Sequence, residues 1–155
     1  MFPIKKILCP TDFSEPAATG LEAALELGEK FSAELLLTHV IMPSDVTGSV
    51  MVVAGTVAEG FHTPLTIQEL EKNANERMQK LAQERIPARQ AFRSRIIFGR
   101  PAEEIARLAE EEAVDLIVIA THGASGWGRI FFGSVAEKVV RLAECPVLTV
   151  KQPKK

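Results

Sequence analysis

Five short apolar runs alternate with four segments of helical periodicity along this 155-residue chain. The runs are Ile4–Cys9, Ala33–Ile41, Ala91–Phe98, Leu116–Thr121 and Val147–Lys151, and each is short enough and β-branched enough to be a strand. The second and fourth are almost continuously apolar, the pattern of strands covered by helices on both faces. The intervening segments carry apolar residues three and four positions apart. Alternation of this kind predicts a three-layer α/β fold. Its five strands form one open parallel sheet, with right-handed crossovers through four helices.

Capping and breaking residues place the helices. The first spans about Glu15 to Phe31, with Ser14 as cap, Pro16 in the first turn, and Ala17, Leu21, Ala24, Leu25 and Gly28 on one face. The second begins at Thr63-Pro64, presents Ile67, Leu70, Ala74, Met78 and Leu81, and ends near Pro87. The third starts at Pro101, with Ile105, Leu108 and Ala109 facing inward. The fourth opens on Ser134-Val-Ala-Glu137, a capping-box sequence, and stops before Pro146. The segment 42–63 breaks the rhythm with Val50-Met-Val-Val53 set between Gly48 and Gly55. Connections of this length serve as lids, interaction segments or poorly ordered loops. No internal repeat or second domain is evident, so residues 1–155 are expected to form a single domain.

Composition narrows the class. Hydrophobic residues make up 46% and charged residues 25%, an ordinary balance for a soluble globular domain. A net charge of −2 argues against nucleic acid as a partner. The apolar start of the chain is too short for a signal peptide or a membrane span, which points to a cytoplasmic protein. Cys9 and Cys145 are expected to be buried, inert thiols, and no Cys/His cluster has metal-ligand spacing.

The distinctive chemistry lies after the fourth strand. Gly123–Ser134 reads G-A-S-G-W-G-R-I-F-F-G-S between that strand and the last helix. A glycine loop opening onto a helix N-terminus gathers unpaired N–H groups and partial positive charge, a setting suited to phosphate. A sheet ordered 3-2-1-4-5 would bring this loop beside Pro10-Thr-Asp-Phe-Ser14, at the point where the strand order reverses. Asp12 is then an acceptor for ribose hydroxyls, or simply a turn residue before the first helix. Ser134 reaches a phosphate or caps its own helix. The chain lacks both the G-x-x-x-x-G-K-[ST] loop and a G-x-G-x-x-G after the first strand.

These residues resemble the universal stress protein family over essentially the whole chain. The resemblance rests on Ile7-Leu-Cys-Pro-Thr-Asp-Phe-Ser14, Leu37-Thr-His-Val40, Gly99-Arg-Pro101, Ala120-Thr-His-Gly123, Gly133-Ser-Val-Ala-Glu-Lys-Val139 and Cys145-Pro-Val-Leu148. The ATP-binding branch of that family has the pattern G-x2-G-x9-G-[ST]. Gly123, nine intervening residues, Gly133 and Ser134 match it, whereas Ala120 replaces the first glycine and is expected to reduce the room there. The resemblance implies a Rossmann-like, adenine nucleotide alpha hydrolase-like fold that binds ATP with Mg²⁺. It implies that Pro10, Thr11, Val40 and Ile119 line the adenine, that Asp12 contacts ribose, and that Gly123, Gly133, Ser134 and Val135 hold phosphate. It also implies a homodimer through the last strand, Val147–Lys151.

Other residues carry weaker signals. Arg129 is either a phosphate contact or a solvated loop arginine, and Arg100 reads as a surface residue. His122 has no nucleophile or second base near it in sequence, and His39 reads as a satisfied core histidine. Trp127, Phe131 and Phe132 anchor their loop to the core or to a partner. No catalytic set stands out, so the leading expectation is a regulatory ATP-binding module. A slow ATPase or phosphotransferase and a nucleotide-free interaction dimer are the alternatives.

Overall fold

A computed structural model describes residues 3–46, 66–121 and 133–152. The elements run β1 (Lys6–Pro10), α1 (Glu15–Phe31), β2 (Glu34–Ile41), α2 (Pro43–Val46), α3 (Ile67–Arg85), β3 (Phe92–Phe98), α4 (Pro101–Glu111), β4 (Leu116–Ala120), α5 (Ser134–Leu142) and β5 (Val147–Val150). The five strands form one parallel sheet in the order β3-β2-β1-β4-β5, as the alternating pattern predicts.

Alternation along the strands splits the core into two layers. Leu35, Leu37, Leu116 and Val118 join Leu21 and Ala24 of α1 and Met78 of α3. Leu36, Ile117 and Ile119 join Ile105 and Leu108 of α4 and Ala136 and Val139 of α5. Among the described residues two helices therefore pack on each face, which explains why β2 and β4 are apolar at nearly every position. Cys9 is fully buried, and burial pushes its thiol up to about 12, while Cys145 is partly buried; both are free. Among the described residues no helix is long and apolar enough to cross a membrane.

The structure corrects the sequence reading at three helix starts. A fifth helix, the short α2, occupies the beginning of the segment read as a loop, and the Met42 N–H donates to Asp45 Oδ2 at 2.9 Å. The helix expected from Thr63 is capped at Thr66, where Glu69 N–H donates to Thr66 Oγ1 at 3.2 Å and Thr66 N–H donates to Glu69 Oε2 at 2.7 Å. This reciprocal pair ends the helix one residue ahead of Ile67, and Ile67 is exposed rather than on the core face. At α5 the cap is Gly133 and no side-chain capping bond forms, so the expected Ser134–Glu137 box is absent. The Gly133 N–H donates to the Thr121 carbonyl at 2.5 Å, which pins the helix boundary one residue earlier than the sequence indicates.

An ion-pair network closes the opposite end of the sheet. Glu112, after α4, accepts from Arg93 Nη2 at 2.8 Å and Arg95 Nη2 at 3.2 Å, and Lys6 Nζ stands 3.4 Å away. Arg93 also donates to Glu34 at 2.6 Å, so the network joins β1, β2, β3 and the end of α4. The Arg93 and Arg95 hydrogen bonds hold the Glu112 carboxyl down at about 2 against an ordinary 4.5. A depressed carboxyl contributes stability above its unfolded value and loses it as pH falls through the folded value. The difference in urea midpoint between wild type and Glu112→Gln is therefore expected to be present at pH 7 and to shrink steadily from about pH 4.5 toward pH 2. An equal difference at both ends of that range would show that the network contributes no proton linkage.

Candidate functional site

The strand order of the sheet reverses between β1 and β4, which run parallel and pair through Ile7↔Leu116 and Leu8↔Ile117. Crossovers leave that junction in opposite directions and open a crevice at the strands' carboxyl ends. A cavity of about 460 Å³ lies there, within the range of roughly 300–1,000 Å³ common for small-molecule sites.

Nine residues singled out from sequence meet in this cavity. Pro10, Thr11 and Asp12 come from the end of β1, Val40 from β2, Ile119 and Ala120 from β4, and Gly133, Ser134 and Val135 from the start of α5. Gly123 and Arg129 lie outside the described residues, as do His122, Trp127, Phe131, Phe132 and residues 47–62 of the long connection.

The loop after β1 is held by short-range bonds. Asp12 Oδ1 accepts the Ser14 N–H at 3.0 Å and the Ser14 hydroxyl, while Ser14 Oγ accepts the Ala17 N–H at 3.3 Å to cap α1. The turn role allowed by the sequence is therefore present, and the same exposed Asp12 also lines the cavity. Asp12 thus both closes the turn and faces the cavity.

At the facing wall, α5 presents its N-terminus. The amides of Ser134, Val135 and Ala136 have no carbonyl partner within their own helix, and the helix dipole adds partial positive charge. Because Gly133 is the cap, the Ser134 side chain is not used for capping. Among the described residues the wall carries two carboxylates, Asp12 and Asp45, and no lysine or arginine.

Ala120 lines the cavity, but its methyl is turned toward α1. A side chain built on Gly20 would meet the Ala120 methyl at 3.6 Å and the Ala120 backbone nitrogen at 3.1 Å. Leu116 and Val118 face the same layer, whereas α5 packs on the opposite one. The alanine that replaces the pattern's glycine therefore stands against Gly20, on the face away from α5.

Several lining residues are not among those the sequence assigns to the site. Thr38 and His39 sit inside an apolar strand run, and Met42 and Asp45 belong to the segment read as a loop. His39 is half-buried, and its Nδ1 lies 2.8 Å from the Thr11 carbonyl. A carbonyl only accepts, so Nδ1 carries the proton and the expected satisfied histidine is found, at the cavity wall. Burial lowers the ring's pKa from 6.5; Thr11 opposes that shift, Arg77 adds to it, and Asp12 and Asp45 oppose it.

A family model, that of the universal stress protein family, matches residues 3–151. The chain belongs to the universal stress protein family. This universal stress protein is 37% identical over 153 residues to universal stress protein MJ0531 of Methanocaldococcus jannaschii, covering 97% of this chain and 84% of that one. It is 34% identical over 155 residues to MJ0577 of the same organism, covering 96% and 95%. The solved structure of MJ0577 superposes with a TM-score of 0.79 over 98% of this chain and 99% of that one, at 32% identity. A universal stress protein from Archaeoglobus fulgidus, solved in complex with dAMP, shares the fold with a TM-score of 0.59 and 19% identity, over 97% and 100% of the two chains.

Proposed function

We propose that this universal stress protein binds an adenine nucleotide, ATP with Mg²⁺, in the switch-point cavity and acts as a dimeric regulatory module. The observation that carries this reading is the convergence of those nine residues on one cavity, with the α5 N-terminus at one wall. Pro10, Thr11, Val40 and Ile119 make the adenine end, Asp12 takes the ribose hydroxyls, and Gly133, Ser134 and Val135 receive phosphate. Gly123 and Arg129 join the phosphate end in this reading. The dAMP complex of the Archaeoglobus fulgidus protein lends support to an adenine ligand in this family.

The wall fits a hard cation carried on phosphates. Its donors are oxygens, from Asp12, Thr11 and Ser134, and Mg²⁺ prefers one or two carboxylates together with phosphate oxygens. Bound Mg²⁺ would offset the negative charge that a polyphosphate brings beside Asp12 and Asp45. The reading is one of binding and not of turnover: the chain lacks a P-loop lysine, and among the described residues the cavity wall carries no lysine or arginine to stabilise charge on a transferred phosphoryl group.

Dimerisation is assigned to the last strand. β5 lies at the sheet edge, and Leu148 on it, with Val140 and Leu142 of α5, is 40–48% exposed. An unpaired edge with apolar side chains favours pairing with a second copy. The free thiols Cys9 and Cys145 support a cytoplasmic setting.

Small molecules released from freshly purified protein are expected to include an adenine nucleotide by mass spectrometry. Added MgATP is expected to raise the melting temperature in a concentration-dependent manner. Absence of any adenine species, together with an unmoved melting temperature at millimolar MgATP, would favour the nucleotide-free dimer. Sedimentation equilibrium reads the assembly, where Leu148→Lys is expected to shift the protein toward monomer.

A further inference from the structure

Asp12 is positioned by more than its own turn. Thr11, on one side of it, is tied to β2 at both backbone groups: its N–H donates to the Thr38 carbonyl at 2.8 Å, and its carbonyl accepts from His39 Nδ1 at 2.8 Å. Phe13, on the other side, has φ +63°, a left-handed conformation that a bulky L-residue rarely adopts. Three contacts hold it there. Its N–H donates to Thr11 Oγ1 at 3.0 Å, its ring centroid lies 4.5 Å from that of His39, and the Arg77 guanidinium carbon lies over the ring, 4.3 Å from its centroid.

Arg77 belongs to α3, which buries only Ala74 and Met78 against the core. Its guanidinium gives this lightly packed helix a contact that leads directly to the site. We propose that Arg77, Phe13 and His39 form a stack through which α3 sets the position of Asp12, so that displacement of α3 or neutralisation of Arg77 weakens the sugar end of the nucleotide site. Arg77 and His39 are positioning residues in this scheme and touch ribose only through Asp12. The inference rests on the nucleotide-binding reading for its consequence, and on the loop geometry alone for its mechanism.

The chain of contacts explains why a phenylalanine is held in a backbone conformation better suited to glycine. A cation over an aromatic face is attracted to the ring's negative quadrupole, and a ring in contact with both a cation and a second ring resists rotation. Without the cation, the ring keeps His39 and its packing on the core but loses the contact from α3, and the left-handed residue has less to hold it. Asp12 adjoins Phe13 in the chain, so its carboxylate moves with that residue.

The test compares Arg77→Met, which keeps an unbranched side chain without charge, with Arg77→Lys, which keeps the cation. Arg77→Met is expected to weaken ATP binding by roughly three- to five-fold, the range set by one partly exposed cation–ring contact. Affinity for 2′,3′-dideoxy-ATP, which lacks the ribose hydroxyls, is expected to be unchanged, and Arg77→Lys should recover most of the loss. In an Asp12→Ala background, Arg77→Met should have no further effect, because both changes act on one contact. Equal losses for the two nucleotides, or additive losses in the double variant, would overturn the proposal. Amide hydrogen exchange in the nucleotide-free protein separates this proposal from the binding reading. Exchange at Phe13 and Ser14 is expected to quicken in Arg77→Met, and unchanged exchange there rejects the stack. A wild type that binds no adenine nucleotide refutes the binding reading, and the exchange result still decides the stack.

Discussion

Gly20→Val is expected to destabilise the protein by about 2–3 kcal/mol, the upper part of the cost of overpacking a filled interior. Gly20 is buried in α1, and a side chain there would meet the Ala120 backbone nitrogen at 3.1 Å. The obstacle is backbone that cannot turn aside. Ala120 is paired in register with Val150, and the next residue, Thr121, donates to the Val150 carbonyl at 2.9 Å. To admit valine, either α1 must lift from the sheet or the end of β4 must shift. Alanine is the instructive control, because its single methyl needs a movement of only a few tenths of an ångström. It also gains about 1 kcal/mol of helix propensity over glycine. Gly20→Ala should therefore stay close to wild type, while Gly20→Val loses roughly 5–10 °C in melting temperature for a domain of this size. Calorimetry and urea titration measure both. A valine variant as stable as wild type would show that α1 and β4 are less closely packed than the distances indicate. A displaced β4 end would also reach the cavity, since Ala120 and Ile119 line it, and the MgATP-induced rise in melting temperature should shrink in the valine variant.

The second large effect is expected at Asp12. Loss of a carboxylate bonded to ribose hydroxyls costs about 1.5–3 kcal/mol, the range for hydrogen bonds to charged groups, so Asp12→Ala should bind ATP roughly 10- to 150-fold more weakly. The sign of the change carries the argument. A carboxylate that served only the turn would repel a nearby polyphosphate, and its removal would strengthen binding. A fall in affinity therefore points to a contact with the sugar. Asp12→Asn separates the two roles, because the amide oxygen can still accept the Ser14 N–H that Asp12 Oδ1 accepts at 3.0 Å. The asparagine variant is expected to fold as wild type does and to bind ATP with intermediate affinity. Titration calorimetry with MgATP measures all three proteins. Unchanged or tighter binding in Asp12→Ala would remove Asp12 from the ribose contact and leave it as a turn residue.

Much of the architecture is legible in local chemistry. Strand periods, Ser14 before Pro16, and Pro101 after Gly99 mark the five strands, α1 and the start of α4 to within a residue or two, and α1 has the predicted bounds. The two loops of the site are also legible, because strand–helix alternation implies a parallel sheet and a parallel sheet places those loops at one end. Errors cluster where a local signal competes with a distant partner. Ser134 looks like a cap from its neighbours, but the bond from Gly133 N–H to the Thr121 carbonyl makes Gly133 the boundary. Thr63-Pro64 looks like a helix start, whereas the reciprocal Thr66–Glu69 bonds fix the start later. α2 was missed because four residues are too few to show a period.

The sequence by itself determined the class of this protein, the order of its elements, its family and nine of the residues that line the cavity. The class and element order depend on periodicity, capping and short motifs, which act between neighbours in the chain, whereas Pro10, Thr11, Val40 and Ile119 were implied by the resemblance to the universal stress protein family. Only the tertiary structure decided that the Ala120 methyl faces Gly20, that His39 holds the Thr11 carbonyl, that Asp45 joins the cavity wall, and that Arg77 reaches Phe13. Those partners are separated by tens of residues or more, and no local propensity relates them. They meet because strand register and the approach of each helix to the sheet are set by packing of the whole core, and that packing is where the site acquires its shape.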